Sequence, residues 1–343
     1  MATGRKLASV QVVWDISPIP GADRIECVSV LGWKCVTKKG EFSKGDRCVY
    51  FEIDSFLPVN DTFEFLRSTS YRKSDVLGEG FRLRTQKLRG QVSQGLILPM
   101  SILPEGEYAT GQDVTKLLGV REWEIPERAT GSGTIVGTVP SAIPKTNEVR
   151  VQAEPGLIDE FAGVPYYITT KLDGTSVTMY RMNGKFGVCG HNFEYADDGK
   201  CSFWKYAREH RVEERMAELG MDNVAVQGEF CGEGIQGNPL RLPKPDWFVF
   251  TILDIAAGRR LGLDEMLDVC ARLGLESVPV EERGESFPYG SVDELLERAK
   301  GNYVRGHRKE GIVIRALDAR TSGILGGPLS MKVINNEYLL KQK

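Results

Sequence analysis

The pattern of apolar and polar positions changes rhythm once along the chain. Over residues 7–130 the apolar runs are short and are punctuated by glycine and proline. Val10-Gln11-Val12-Val13-Trp14 reads as a strand that Ile16-Ser17-Pro18-Ile19-Pro20-Gly21 should break. Ile25–Leu31 and Trp33–Thr37 flank Gly32, and Cys48–Ile53 and Gly95–Pro99 are apolar runs fit for buried strands. Short strands at this spacing predict a small barrel or sandwich, and the five-stranded OB-fold fits the length. Residues 125–147 hold Pro126, Gly131, Gly133, Gly137, Pro140 and Pro144 among serines and threonines, which marks a linker zone.

From about residue 148, strands alternate with longer helical stretches. Tyr166–Lys171 and Val177–Arg181 read as strands around a tight turn, and Val224–Phe230, Trp247–Ile255, Gly311–Arg315 and Leu329–Ile334 as further strands. Phe203–Gly220 reads as one helix that buries Trp204, Ala207, Val212, Met216 and Leu219. Leu263–Leu273 and Ser291–Lys300 read as helices, the second opened by a capping box of Ser291 and Glu294. The predicted class is α+β, with an OB-fold β-barrel over 1–130, a linker over 131–147 and an antiparallel-sheet domain over 148–343.

Composition narrows the function. The chain has 343 residues, 41% hydrophobic and 27% charged, which supports two cored domains. No window approaches about 18 unbroken apolar residues, so no membrane partner is expected. The N-terminus lacks the apolar stretch of a secretory signal. Seven cysteines without a C-x-x-C pair argue against a disulfide framework or zinc ribbon, and three histidines argue against a His-rich metal site. Reduced thiols in an intracellular protein, cytoplasmic or nuclear, are the expectation. A net charge of -3 excludes nucleic-acid binding by bulk charge, so any such binding must use local patches. One such patch is Phe81–Gln91, with Arg82, Arg84, Lys87 and Arg89 and no acid. Alternation puts Arg82, Arg84 and Lys87 or Arg89 on similar faces, either to track a phosphate backbone or as an ordinary solvated edge strand.

The chemistry-bearing positions follow one order. Lys171-Leu172-Asp173-Gly174 ends an apolar strand with a lysine and a turn-forming Asp-Gly. Such a lysine becomes a nucleophile when burial or nearby positive charge, including a metal ion, lowers its pKa. Gly228-Glu229 and Glu310-Gly311 set carboxylates at strand ends, suited to hold a hydrated magnesium ion. Phe248-Val249-Phe250 puts two aromatics on one strand face, able to stack on a purine, and Lys332 can neutralise a transferring phosphoryl group.

In that order the sequence resembles the covalent nucleotidyltransferases: ATP-dependent RNA and DNA ligases and mRNA capping enzymes. The matching elements are Lys171 to Gly174, Cys189-Gly190-His191-Asn192, Gly228-Glu229, Phe248-Val249-Phe250, Glu310-Gly311 and the stretch around Lys332. Within that superfamily it is most similar to RNA ligases whose OB domain precedes the nucleotidyltransferase domain. That likeness rests on Lys38–Phe42, Tyr50–Phe56, Leu88–Gln91, Ser93–Leu96, Lys145-Thr146, Arg150-Val151-Gln152, Gly232-Glu233 and Ile235–Asn238.

The resemblance implies an ATP-dependent RNA ligase, with Mg2+ or Mn2+ as its metal cofactor, that joins RNA 3′-OH and 5′-phosphate ends as a monomer. Lys171 would carry AMP, with Glu229, Glu310 and Lys332 as the other catalytic residues. Arg150, Asp173, Gly174, His191, Asn192, Phe250 and Val313 would contact the nucleotide. Asp173, Glu229 and Glu310 would hold the metal, mainly through water. The chain departs from the family at two positions. His191 stands where the family has arginine, with Arg181 and Arg150 as candidate substitutes, and Ser330-Met331-Lys332 stands where many relatives read K-x-K. A DNA ligase, a capping-type guanylyltransferase and a non-catalytic nucleic-acid binder are the alternatives.

Overall fold

The computed structural model describes residues 5–123 and 133–341. The chain divides into two compact units, Met1–Pro126 with Gln152–Pro155 and Leu339–Lys343, and Glu127–Val151 with Gly156–Tyr338.

In the first unit a five-stranded antiparallel sheet has the order Leu96–Pro99, Arg47–Phe51, Ala8–Pro18, Ile25–Val30, Trp33–Lys38. A second sheet orders Arg121–Glu122, Ser55–Pro58, Gly78–Arg82 and Tyr71–Ser74. Both enclose one core that includes Val10, Val49, Phe51, Leu57, Phe63 and Phe81. The strand expected to stop at Trp14 continues to Pro18. A bulge between Val13 and Asp15 absorbs Trp14, and Pro18 sits last, where the missing N–H costs least.

The basic stretch also departs from expectation. Gly78–Arg82 ends at Arg82, and Gln86–Leu88 pairs with Gln91–Ser93 as a separate hairpin with Arg89 in the left-handed region. The Arg82 guanidinium lies 5.0 Å over the Trp123 ring and 3.8 Å from Asp54, its side chain only 10% exposed. Arg84 is half-buried, and Lys87 and Arg89 are exposed on the hairpin. The four cations therefore do not share one face, because the chain turns twice between them.

In the second unit a larger sheet orders Ile135–Thr138, Phe193–Tyr195, Lys185–Cys189, Thr175–Met182, Val224–Cys231, Asp246–Asp254 and Arg259–Arg260. It is antiparallel except where Glu276–Ser277 joins Asp246–Asp254. Part of the stretch expected as linker is thus an edge strand. A four-stranded antiparallel sheet orders Val280–Gly284, Tyr166–Lys171, Gly311–Ala316 and Ser330–Ile334. Helices Ser202–Glu209, Val212–Glu218 and Leu263–Leu273 pack Trp204, Met216, Met266 and Leu273 into the larger sheet's core. Leu157–Phe161 and Val292–Arg298 cover Ile168, Ile312, Ile314 and Met331 of the smaller sheet.

The expected helix over 203–220 is two helices. Arg211 takes a left-handed conformation (φ 52°) that redirects the axis, so Val212 and Met216 reach the core from a second segment. Ser291 caps its helix by accepting from the Glu294 amide, but the Glu294 carboxylate accepts from Gly290 rather than completing the box at Ser291.

Gly95 tests the first unit. It has φ 101°, and a Cβ there would lie 2.4 Å from the Phe51 carbonyl oxygen. Gly95→Ala should destabilise this unit by about 2–4 kcal/mol, combining left-handed strain with overpacking. The expected readout is faster hydrogen exchange at Tyr50 and Phe51 and a lower urea midpoint; unchanged protection would contradict it.

Candidate active site

Residues Lys171-Leu172-Asp173-Gly174 carry the chain from the smaller sheet to the larger. The strands on either side do not pair with each other, so the tight turn expected at Asp-Gly is instead a crossover between sheets. Gly174 does not use a positive φ here. It is needed for close approach: a Cβ would lie 2.5 Å from the Phe230 carbonyl oxygen and 2.6 Å from the Cys231 Sγ. This contact lets the Gly174 amide donate to Glu229 Oε1 at 3.1 Å.

Register builds the floor. Thr169 lies opposite Val313, Tyr167 opposite Arg315, Lys171 opposite Gly311, and Val313 opposite Lys332. Since side chains alternate, Thr169, Lys171, Val313, Arg315 and Lys332 share one face. Ile168, Ile312, Ile314 and Met331 go to the core on the other. The wall comes from the larger sheet, where Ser176 lies opposite Glu229. Phe250 is the extra residue of a bulge between the pairs Gln227–Thr251 and Gly228–Val249, which re-aims its side chain.

A cavity of about 330 Å³ opens between them. Of the expected residues it is lined by Lys171, Gly174, His191, Glu229, Phe250, Val313 and Lys332. Four others stand just outside its lining. Glu310 Oε2 is 2.6 Å from Lys171 Nζ. Asp173 accepts from the Tyr338 hydroxyl at 2.7 Å. Asn192 accepts from Lys145 Nζ at 2.6 Å. Arg150 belongs to a short segment beside Lys332, held by Val151 N–H to Lys332 O and Lys332 N–H to Val149 O. Arg181 cannot replace His191, because it lies five residues along the strand from Ser176, roughly 16 Å away.

The charges do not follow the simple expectation of a depressed nucleophile. Burial works against the Lys171 ammonium, but the Glu310 and Glu229 carboxylates outweigh it and hold its pKa above the ordinary lysine value. The depressed lysine is Lys332, brought down to about 8 by burial and then by Arg150 and Lys171. Burial pushes Glu229 up to about 8, with Glu310 adding to it. Burial and Glu310 raise Asp173 to about 6.

Three carboxylates therefore crowd one ammonium, an anionic excess that a divalent cation fits. Among the described residues no three His, Cys, Asp or Glu groups converge to ligate an ion alone, so water would complete its shell.

Sequence reasoning missed two features. Arg315 Nε and Nη2 donate to Glu148 Oε1 at 3.1 and 2.7 Å, both side chains are buried, and both residues line the cavity. The Arg315 guanidinium lies 6.0 Å from the Phe250 centroid. Although burial alone would raise it, Arg315 holds Glu148 down at about 2. Arg315 was legible, being two residues past Val313 on the same face; Glu148 was not. Tyr303 is the second. Its hydroxyl donates to the Lys171 carbonyl at 2.9 Å and accepts from the Glu310 amide at 3.0 Å.

Glu229 gives a pH prediction. Between its ordinary value of 4.5 and about 8, the folded protein keeps a proton that the unfolded chain has released. This contribution to stability is full below the ordinary value and is lost as pH rises through the folded one. Glu229→Gln removes the penalty, so its Tm should exceed that of the parent by a margin that grows to a few degrees between about pH 5 and pH 9. A margin independent of pH would count against the raised carboxyl.

Comparison with known proteins places this geometry. Residues 7–100 match a family model described as an OB-fold domain, and residues 164–334 match one described as RNA ligase. The chain is similar to a mutant of Naegleria gruberi RNA ligase solved with ATP and Mn, at 38% identity and TM-score 0.91 over 98% of this chain and 99% of that one. It is similar to another mutant with AMP and Mn, and to the ligase with PPi, each at 39% identity and TM-score 0.90 over the same shares. No curated protein matches. Fold and site define an α+β enzyme, an OB-fold domain followed by a sheet-rich nucleotidyltransferase-like domain. The chain belongs to the RNA ligase family, and the enzyme is an RNA ligase.

Proposed function

We propose that this RNA ligase uses ATP to join a 3′-OH to a 5′-phosphate through lysyl-AMP and RNA-adenylate. The observation that carries the reading is Lys171 Nζ at the rim of the cavity, 2.6 Å from Glu310, with Glu229, Phe250, Val313 and Lys332 around it. Once the Lys171 ammonium has released its proton to water, the free amine attacks the α-phosphorus of ATP. A phosphorus–nitrogen bond forms, the bond to the β-phosphate bridge breaks, and pyrophosphate leaves. AMP then passes from Lys171 to an RNA 5′-phosphate, and the 3′-OH attacks that phosphate and expels AMP.

Lys332 and Arg150 offset charge on the α-phosphate, and Phe250 and Val313 hold the purine, with His191 and Asn192 at the nucleotide's edge. A divalent cation, Mg2+ or Mn2+, held by Glu229, Glu310 and Asp173 mainly through water, would supply positive charge that favours the neutral amine. The Naegleria gruberi structures with ATP and Mn, AMP and Mn, and PPi support this sequence of steps. We read residues 1–130 as the OB-fold domain and 148–343 as the nucleotidyltransferase domain, acting as a monomer. Arg84, Lys87 and Arg89 would touch RNA, with Arg82 held at Trp123. Seven buried cysteine thiols support a reducing, cytoplasmic setting, and among the described residues no helix is long and apolar enough to cross a membrane.

Incubation with radiolabelled ATP and manganese should leave AMP covalently on the protein, and Lys171→Met should abolish the label. A label that survives the substitution would displace Lys171 as nucleophile. Ligation should prefer RNA over DNA on the 3′-OH side of a nick, because the 2′-OH is what distinguishes the two. Equal sealing of all-DNA nicks would contradict that preference.

A further inference from the structure

Two loops beside the catalytic lysine carry a concentration of positive charge that the reaction scheme above leaves unused. Residues 234–245 and 300–309 contain no acid, in a chain of net charge -3. The loops are locked together: the His307 amide donates to the Pro239 carbonyl, and a Cβ on Gly306 would lie 2.0 Å from that same oxygen. The second loop closes on itself through a bridge between Asn302 and Arg308. Its base is Tyr303, whose hydroxyl spans the Lys171 carbonyl and the Glu310 amide. Tyr303 also packs with Leu172, Leu240 and Leu242, so both loops rest on the crossover that bears the nucleophile.

Some of the cations are already committed. Lys300 pairs with Glu297, Lys309 with Glu281, and Arg308 with Glu337. Arg241, Lys244 and Arg305 are exposed, and their side chains form no ion pair among the described residues. His307 is exposed beside them, and the apex residue Val304 is fully exposed. Three uncommitted cations on two braced loops that themselves contain no carboxylate suit a row of phosphates on a flexible strand.

We propose that the paired loops around Arg241, Lys244 and Arg305 bind the phosphodiester backbone of the RNA next to the end being joined. The choice of RNA as the polyanion rests on the ligase reading. Tyr303 gives the arrangement its purpose, since it ties the backbone that would hold RNA to the backbone of Lys171 and Glu310.

The test uses the full chain and a nicked, 5′-phosphorylated RNA duplex. Binding is measured at several salt concentrations, and AMP labelling is measured separately. Arg241→Ala/Arg305→Ala should lose about ten-fold or more in affinity at low salt, and its salt slope should fall by about 2. Its AMP labelling should stay within about two-fold of the parent. Lys205→Ala/Arg272→Ala removes the same charge from helices of the same unit and should change neither quantity. An unchanged affinity and slope in the loop variant, or an equal loss in the helix variant, would overturn the proposal. Absent AMP labelling in the parent would count against the ligase mechanism, whereas the comparison of RNA affinities judges the loops by itself.

Discussion

The structure of the second unit turns on one close approach, the backbone of Gly174 against Phe230 and Cys231. Two sheets must be joined there by three residues, and the join must leave a cavity on one side and a core on the other. A Cβ at Gly174 would lie only 2.5 Å from the Phe230 carbonyl oxygen and 2.6 Å from the Cys231 Sγ, so one of them would have to move. With none, the crossover lies flat, the Gly174 amide reaches Glu229, and Lys171 stands where both sheets end. The same seam lets Tyr303 reach the Lys171 carbonyl and the Glu310 amide.

That seam also explains the electrostatics. Lys171 and Lys332 are both half-buried, yet they are shifted in opposite directions. Lys171 faces Glu310, Glu229 and Asp173, so attraction to anions exceeds desolvation. Lys332 faces Arg150 and Lys171, so burial and repulsion act together. Residue type alone could not separate them. A bound cation would shift the balance at Lys171, which makes its protonation responsive to what occupies the site.

Much of this was legible beforehand. The strands expected at Tyr166–Lys171 and Gly311–Arg315 are present, and their register places Val313 and Arg315 on the face that carries Lys171. The helix Leu263–Leu273 followed from its spacing. Errors came where a local irregularity overrode a regular pattern. Trp14 is swallowed by a bulge, Arg211 breaks a helix that keeps its apolar spacing, and the run from Arg82 to Arg89 turns twice. Glu148 was invisible because its pairing with Arg315 spans 167 residues and depends on which strands end together.

The sequence by itself determined several of the strands and helices of the second unit, the candidate groups for nucleotidyl chemistry, and the resemblance that connects them. Those depend on local periodicity and on residue type, which a linear reading contains. Only the tertiary structure decided that Lys171 begins as a charged ammonium, that Lys332 is the depressed lysine, and that Asp-Gly is a passage between sheets. Each of these is set by distances and burial among residues far apart in the chain, and no local pattern encodes them.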